Sequence, residues 1–428
     1  MKKVLAVLGS ILLLAALCIG GFVAWAYFTA DETAVSYPSV QFADTQLLPQ
    51  GTQWHTPVLH SLLMKSYGVQ ADAAMSVTGT YADTVLPLSV PQAADATLVI
   101  CKGEDVHTGE VVYTGSAADY DGFTFTENGL YSAQLVLAQQ PDKTAPYGTF
   151  TYWFSFKIDI QPIIAFSADT AQQGDIITAY VYTGLTDDTP SITTQLGNVV
   201  EFLPVWEHTY AAYIPVNYAC TPGSWDITVT LGSTVQTQTV QVTQRDYTVQ
   251  YMTISEDTTN ETMNNPNGPA NWREKIWPLW ESADDTRYWT ENFMQPCEAR
   301  ISTKFGLYRY TNGSTTPERH TGIDIAADEG TDVAASNSGR VVLAEYIIYT
   351  GNTVVIEHGG GLKTYYFHMR DLAVQENDMV EKGDIIGHVG TTGYSTGAHL
   401  HFEVKLGKTS LSPWGLFDGS SGVYYTGS

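Results

Sequence analysis

Cysteine and basic residues are both scarce in this chain. Only four of its 428 residues are cysteines, and one of them, Cys18, lies inside an apolar N-terminal stretch. A set this sparse does not provide a disulfide framework. Lysine and arginine total 20 against 45 aspartates and glutamates, which gives a net charge of −25. This acidic balance argues against a nucleic-acid partner, because such partners are bound by basic surfaces.

One long apolar run is present, at the N-terminus. Two lysines precede 27 uncharged residues, Val4 to Ala30. About 20 apolar residues are enough to span a bilayer. Lysines ahead of the span predict that the N-terminus stays inside and that the rest of the chain is exported. We therefore expect residues 1–30 to be an uncleaved anchor, with the alternative of a signal peptide cleaved near Ala24-Trp25-Ala26.

A short histidine motif, HTGID, begins at His320. Its carboxylate, Asp324, is four residues further on, and an extended strand would hold the two α-carbons about 13 Å apart, too far to share a metal. A helical turn or a bend at Thr321-Gly322 would bring them together. Ile323 and Ile325 alternate around Asp324 as in a strand, which favours the bend, since glycine accepts unusual backbone angles.

A second motif, GAHLHFE, begins at Gly397, 77 residues after His320. His399 and His401 alternate with Leu400 and Phe402, which predicts a strand with both imidazoles on one face. Two imidazoles and a carboxylate are a ligand set used by catalytic zinc, which keeps a fourth position for water. Glu403 continues the same face and is either an acceptor that orients His401 or a solvated carboxylate.

The residues around both motifs resemble a known family. HTGIDIAADEGTDVAASNSGRVV, GNTVVIEHGGGLKTYYFHM and KGDIIGHVGTTGYSTGAHLHFE are similar, in this order, to the lysostaphin/LytM-type zinc endopeptidases of bacterial cell walls. The resemblance covers about residues 296–418 and implies a β-rich duplicated-hybrid-motif domain. It also implies one Zn²⁺ per chain, held by His320, Asp324 and His401, and two active-site histidines that are not ligands, His368 and His399. Which of these two is the general base stays open.

The resemblance also implies a function for an exported chain. It predicts a zinc metalloendopeptidase that hydrolyses peptide bonds in the stem peptides or cross-bridges of peptidoglycan. The expected location is the bacterial cell membrane with the catalytic domain outside, or the exterior after signal cleavage. Peptidoglycan and the membrane are the expected partners, and a protein activator stays open. The alternative function is a catalytically silent regulator or wall-binding scaffold of the same fold.

Strand patterns dominate the rest of the chain and predict an all-β multidomain protein. Short alternating strands at regular spacing predict two immunoglobulin-like β-sandwich modules, residues 75–160 and 161–246. The peptidase domain is expected at residues 297–428. Its strand candidates are residues 340–346, 352–357, 362–367, 384–389 and 399–405.

Two segments are predicted to be linkers with some helix. In residues 31–74, Thr56-Pro57 and an apolar stripe predict a short helix that ends near Tyr67. Residues 247–296 begin with a polar, turn-rich stretch and continue with a helix interrupted at Pro278. Three tryptophans of that helix either pack on the catalytic domain or bind sugar: Trp272, Trp277 and Trp280.

Overall fold

The computed structural model describes residues 2–30, 38–70, 75–91, 94–197 and 201–424. Within them the chain divides into two compact units, Met1–Gln161 and Pro162–Ser428. Residues 31–37 and 71–74 of the predicted 31–74 linker lie outside the described residues. Each unit is built mainly of antiparallel strands, in agreement with the predicted all-β multidomain class.

The first unit begins with helix α1 (Lys2–Thr29), which is 28 residues long and has no buried residue. At 1.5 Å per residue its length exceeds the roughly 30 Å hydrocarbon core of a bilayer. Among the described residues it is the one helix with the length and composition to cross a membrane, and a signal sequence would share both properties.

Two sheets follow α1 in the first unit. Sheet order is β2-β1-β6 in one and β4-β3-β10-β9-β7-β8 in the other, where β5 pairs with β10. Phe42 lies between them, with its ring centroid 4.7 Å from those of Phe154 and Phe156. The first module was predicted to begin at residue 75, but the strands that precede this residue belong to the same sandwich. The strands are β1 (Val40–Phe42), β2 (Thr45–Leu47), β3 (Gly51–Val58), β4 (Leu63–Gln70), β5 (Ser76–Tyr81), β6 (Leu88–Ser89), β7 (Ala94–Lys102), β8 (Glu110–Ser116), β9 (Gly129–Gln139) and β10 (Tyr147–Ile158).

The predicted helix from Thr56 to Tyr67 is wrong. These residues form the β3–β4 hairpin, in which pairing runs from Gly51 opposite Gln70 to Val58 opposite Leu63. The apolar residues that suggested a helical stripe lie at the turn, where Leu59 has a φ of 53°. Trp54 stacks on Tyr67 across the hairpin at 5.4 Å. Hydrogen bonding of β3 to β10 and this cross-strand contact outweigh the local helical pattern.

The second unit opens with another sandwich of two four-stranded sheets, ordered β11-β13-β16-β15 and β12-β18-β17-β14. Alternating residues from both sheets, among them Ile177, Val181, Ile227 and Val229, form the core between them. The strands are β11 (Ile163–Phe166), β12 (Thr170–Gln172), β13 (Ile176–Tyr182), β14 (Ser191–Thr194), β15 (Leu203–Trp206), β16 (Thr209–Pro215), β17 (Gly223–Leu231) and β18 (Thr234–Thr243).

The remainder of the second unit is organised around an eight-stranded sheet. Its order is β20-β23-β31-β27-β26-β25-β29, with β32 beside β31, and smaller sheets β19-β21-β22 and β24-β30-β28 flank it. All five strand candidates of the peptidase region are present within two residues at each end. The elements are β19 (Val249–Met252), α2 (Glu256–Glu261), α3 (Gly268–Lys275), a 3-10 turn (Trp277–Trp280), β20 (Arg300–Thr303), β21 (Tyr308–Thr311), β22 (Glu318–Arg319), β23 (Ile323–Ala326), β24 (Asp332–Ala334), β25 (Gly339–Ile347), β26 (Gly351–Glu357), β27 (Leu362–Met369), β28 (Asp371–Leu372), β29 (Met379–Val380), β30 (Ile385–His388), β31 (Leu400–Leu406), β32 (Thr409–Leu411) and α4 (Trp414–Asp418).

Residues 247–296 do not form a linker. Strand β19 pairs in parallel with β21, and Trp289 is fully buried in a core shared with Tyr213 of the sandwich. The polar composition of this segment suggested a linker, but its polar side chains face solvent or cap helix α2. Ser255, for example, accepts a hydrogen bond from the Thr258 amide. Pro278 ends the α3 helix as predicted, since a 3-10 turn follows.

His358, which directly follows β26, is fully buried. Its Nδ1–H donates to the Ser338 carbonyl at 2.8 Å, and its Nε2 lies 2.7 Å from the Thr364 hydroxyl. Burial lowers its pKa to about 4, well under the ordinary value near 6.5. The neutral imidazole is therefore a structural group of the core.

This buried histidine predicts a pH dependence of stability. The pKa of His358 is lower in the folded state than in the unfolded state, so protonation favours unfolding. The contribution of the neutral ring to the free energy of unfolding is complete above about pH 6.5 and is lost as the pH falls towards about 4, by up to about 3 kcal/mol. We therefore expect the free energy of unfolding, measured with urea on metal-free protein at several pH values, to decrease less towards acid pH in His358→Asn than in wild type. His107→Asn, at an exposed position of the first unit, is the matched control. Equal slopes in wild type and His358→Asn would contradict this prediction.

Candidate metal centre

Three potential ligands converge where β23 and β31 pair. Asp324 and His401 are direct cross-strand partners, so their side chains leave the sheet on the same face. His320 precedes the bend at Gly322 and folds back beside them. Its Nε2 lies 2.9 Å from Asp324 Oδ1 and 3.0 Å from His401 Nδ1, and the latter is 2.8 Å from Asp324 Oδ1. All three residues are buried, and they form the one such cluster of potential ligands among the described residues.

Gly322 makes this convergence sterically feasible. The predicted bend is present. Gly322 does not have a positive φ, however, so unusual backbone angles are not the reason for glycine at this position. A Cβ atom there would lie 2.2 Å from the Phe402 carbonyl oxygen and 2.9 Å from His401 Nε2. Close approach of the bend to β31 is thus the reason for glycine, because any side chain would push His320 away from its partners.

The hydrogen bonds of the two histidines indicate which nitrogen atoms are free to bind a metal. His320 Nδ1–H donates to the Lys304 carbonyl at 3.0 Å, which leaves its Nε2 as a lone pair. His401 Nε2 faces Glu403 Oε1 at 3.7 Å, so a proton on Nε2 points at this carboxylate and Nδ1 can serve as the ligand atom. His320 Nε2, His401 Nδ1 and Asp324 Oδ1 therefore face one another and can be bridged by a cation.

The donor set fits a zinc ion. Tetrahedral bonds of about 2.0–2.1 Å separate neighbouring ligand atoms by about 3.4 Å. The observed separations of 2.8 to 3.0 Å need to widen by only a few tenths of an ångström. The nitrogen and oxygen donors also match what zinc prefers, and Cys297, the nearest cysteine in sequence, is buried elsewhere in the core.

Electrostatics in the cluster point to the same requirement for positive charge. Burial alone would raise the pKa of Asp324, but the two histidines outweigh it and hold this pKa well below its ordinary value. Burial lowers the pKa of His320. Burial also opposes protonation of His401, yet Asp324 and Glu403 raise its pKa to about 9. A proton on His401 thus provides the positive charge when no metal is bound, and metal binding must displace it.

Two further histidines stand next to the three ligands. His368 and His399 have ring centroids 4.9 Å apart, and His368 is 6.2 Å from His401. Strand alternation would point His368 away from the ligands, since its neighbour Phe367 faces His401. A φ of 62° at His368 reverses its direction and turns the imidazole towards the cluster. A left-handed backbone at a residue other than glycine is uncommon and is found most often at functional sites.

Both of these histidines present an unprotonated Nε2. His368 Nδ1–H donates to the Thr392 carbonyl and His399 Nδ1–H to that of Gly397, each at 2.8 Å. His399 Nε2 lies 3.8 Å from Asp324 Oδ1. Burial, with a contribution from His399, lowers the pKa of His368 to about 3, and burial lowers that of His399 as well. Each imidazole is therefore neutral and able to accept a proton beside the cluster.

The sequence profile of peptidase family M23 matches residues 318–413, a segment that contains all five of these residues. These residues form an M23 peptidase domain.

Several proteins of known name are similar to the M23 domain. The DD-carboxypeptidase/endopeptidase Mpg of Neisseria meningitidis is 41% identical over 114 residues, which are 27% of this chain and 26% of that protein. The peptidoglycan DD-endopeptidase ShyA of Vibrio cholerae is 39% identical over 105 residues, 24% of each chain. The lysostaphin catalytic domain from Staphylococcus simulans is 32% identical with a TM-score of 0.25, over 27% of this chain and 90% of that one. The chain thus spans about a quarter of the length of the two curated relatives.

One residue of the site, which lies just ahead of the M23 domain, was not predicted from the sequence. Arg309, on β21, places Nη2 2.9 Å from Asp324 Oδ2, and its Nε donates to Gln250 Oε1 at 2.9 Å. This contact occupies the outer carboxylate oxygen and leaves Oδ1 for the histidines. Arg309 lies outside both histidine motifs, so only the packing of β21 beside β23 could have identified it.

Proposed function

We propose that this protein is a zinc metalloendopeptidase that hydrolyses peptide bonds in the stem peptides or cross-bridges of peptidoglycan. The proposal is carried by one observation: two imidazole lone pairs and a carboxylate meet at one point of an M23 domain, with two neutral histidines beside them. The name of the similar Vibrio protein, a peptidoglycan DD-endopeptidase, supports peptidoglycan as the substrate. Helix α1 supports a location outside the cytoplasm, anchored or secreted.

In this proposal His320, Asp324 and His401 hold one Zn²⁺ per chain. When bound, zinc polarises the scissile carbonyl and lowers the pKa of its water towards neutrality. Arg309 keeps the Asp324 carboxylate in the orientation that the ion needs. Burial of all three ligands keeps competing water away and strengthens their electrostatic interactions.

His399 and His368 have the proton-transfer roles. Each offers a bare Nε2 next to the ligands, so each can accept the proton of an attacking water. His399 is the better candidate for the general base, because its side chain is 17% exposed and its Nε2 is 3.8 Å from Asp324 Oδ1. His368, once protonated, would donate to the developing oxyanion or to the leaving amine. The carbonyls of Thr392 and Gly397 fix the tautomer of both rings.

The direct test of this proposal is cleavage of isolated peptidoglycan by the purified chain, with products identified by mass spectrometry. Zinc-dependent release of fragments with new peptide termini is the expected result. Cleavage that persists after chelation, or fragments that arise from sugar bonds, would refute the proposed chemistry.

Glu403 is predicted to act on the metal through His401. It is 3% exposed, faces His401 Nε2 at 3.7 Å and is 3.2 Å from Lys405 Nζ. Burial opposes its ionisation, but Lys405 and His401 lower its pKa to about 2, so it is a carboxylate at neutral pH. Replacing an outer acceptor of this kind costs about 10- to 100-fold in metal affinity.

We therefore expect Glu403→Gln to weaken zinc binding by about 10- to 100-fold, measured by competition with a chelating dye. Glu318→Gln, on an exposed strand end of the same domain, is the control. Unchanged zinc affinity in Glu403→Gln would show that this carboxylate only completes the buried ion-pair cluster with Lys405.

A further inference from the structure

The face of the sheet that bears the ligands extends well beyond them. Phe367 is the cross-strand partner of His401, and Tyr365 that of Glu403, so all four side chains share one face. The Phe367 ring stacks on the His401 imidazole at 5.4 Å with only 3° between their planes. Val355, the partner of Tyr365, continues this face across the next strand. A peptide bound along the sheet in this direction would have to lie over Phe367 and Tyr365.

That surface is occupied by the chain itself. Residues 253–285, here termed the cover segment, comprise α2, α3 and the following 3-10 turn. Ile276 and Leu279 of the cover segment pack in one apolar cluster with Phe367 and Tyr365, and Trp272 and Trp280 pack against it. Phe367 is 4% exposed and Tyr365 is fully buried. The surface over Phe367 and Tyr365 is therefore closed to a substrate. The same contacts assign Trp272 and Trp280 to packing rather than to sugar binding.

Charged contacts hold the cover segment in place. Asp284 receives two hydrogen bonds from Arg340, at 2.9 and 2.6 Å. Lys363, which is 1% exposed, donates to the Ser282 carbonyl at 2.6 Å. Lys275 pairs with Glu345 at 2.9 Å. Buried and bidentate contacts of this type fix geometry more firmly than single surface pairs do, so the cover segment is a permanent wall of the site.

The N-terminal part of the cover segment joins the two sides of the metal centre. Thr259 Oγ1 accepts from Asn312 Nδ2 at 3.4 Å, on the β21 side. Tyr349 lies on the other side, where its carbonyl accepts from the amide of Tyr394, on the loop that leads to His399. Further along, Gly268 lies against the Tyr349 ring so closely that a Cβ atom would be 2.6 Å from it. The cover segment thus runs from one wall of the site to the other.

The metal centre is more open on the side of His399. Residues 396–398, which directly precede His399, are exposed. His399 itself is the most exposed of the five site residues. We propose that the cover segment closes one end of the substrate cleft, so that this enzyme cleaves peptides that end a few residues beyond the scissile bond. Uncross-linked stem peptides fit this description, and cross-linked ones do not. The inference rests on the proposed peptidoglycan peptidase function.

The test compares two substrates with one set of variants, using the full chain in detergent with zinc. The substrates are an uncross-linked muropeptide monomer and the cross-linked dimer from the same wall. In the opened variant, residues 256–261 are replaced by Gly-Ser repeats, which removes α2 and the contact of Thr259 with Asn312. Thr259→Ala is a milder variant that removes the hydroxyl in contact with Asn312. Thr258→Ala is the matched control, because its hydroxyl contacts Ser255 within the same helix.

We expect wild type and Thr258→Ala to prefer the monomer by about tenfold or more in kcat/KM. Thr259→Ala and the opened variant should narrow this preference by raising kcat/KM on the dimer. Equal cleavage of both substrates by wild type would overturn the inference while leaving the proposed function intact. An equal change on both substrates in the two Thr259-lacking variants would also overturn it. Cleavage of neither substrate by zinc-loaded wild type would remove the proposed function, and the inference with it.

Discussion

Replacing His401 by alanine should abolish stoichiometric zinc binding and lower kcat/KM on peptidoglycan peptides by about 10³-fold or more. His401 supplies one of the two lone pairs at the centre, and its removal leaves His320 and Asp324 as the only ligands. Its loss also leaves Glu403 buried without the imidazole it faces. Zinc content by elemental analysis and product formation by mass spectrometry measure the two effects separately.

The control for this variant is His388→Ala. His388 belongs to the same domain but pairs at the surface with Asp371, at 2.5 Å, and lies outside the metal centre. It should keep zinc and activity within about twofold of wild type, as surface changes usually do. Cleavage at the wild-type rate by His401→Ala would show that the reaction does not depend on this cluster.

The second large effect is expected at the two histidines that are not ligands. His399→Ala and His368→Ala should each retain zinc but lower kcat by about 10²- to 10⁴-fold, the range for loss of a general acid or base. Substrate affinity should change less, because both rings act on protons rather than on binding. Loss of zinc in either variant would instead make that histidine part of the metal site.

The pH profile of the remaining activity distinguishes the two histidines. A general base must be neutral to accept a proton, and burial lowers the pKa of both imidazoles. In wild type the acid limb of kcat/KM should therefore lie below the ordinary histidine value of about 6.5. The residue whose replacement removes this limb is the general base. We expect it to be His399, and loss of the limb only in His368→Ala would reverse the assignment.

The local patterns of the sequence were sufficient for much of the M23 domain. Period-2 alternation located β31 correctly, and the four-residue spacing of His320 and Asp324 required the bend that Gly322 provides. The structure brings together all five residues that the resemblance implied, with His368 turned towards the ligands by its left-handed backbone. No sequence pattern predicts such a backbone at a histidine, because it is imposed by packing around β27.

Contacts between distant segments could not be predicted in the same way. The apolar residues at 58, 59, 62 and 63 fit a helix and a hairpin turn equally well, and pairing with β10 decided between them. Arg309 reaches Asp324 only because β21 packs beside the bend. The tryptophans of residues 272–280 fitted either packing on the catalytic domain or sugar binding, and nothing in their spacing revealed that this segment covers the face bearing His401.

The most direct test of the account is digestion of isolated peptidoglycan by the full chain in detergent, with zinc content measured on the same sample. The account predicts about one zinc per chain and fragments with new peptide termini that vanish on chelation and in His399→Ala. Stoichiometric zinc without any fragments would contradict it and would favour a silent regulator or scaffold of the same fold. Fragments that persist without zinc would contradict the metal centre itself.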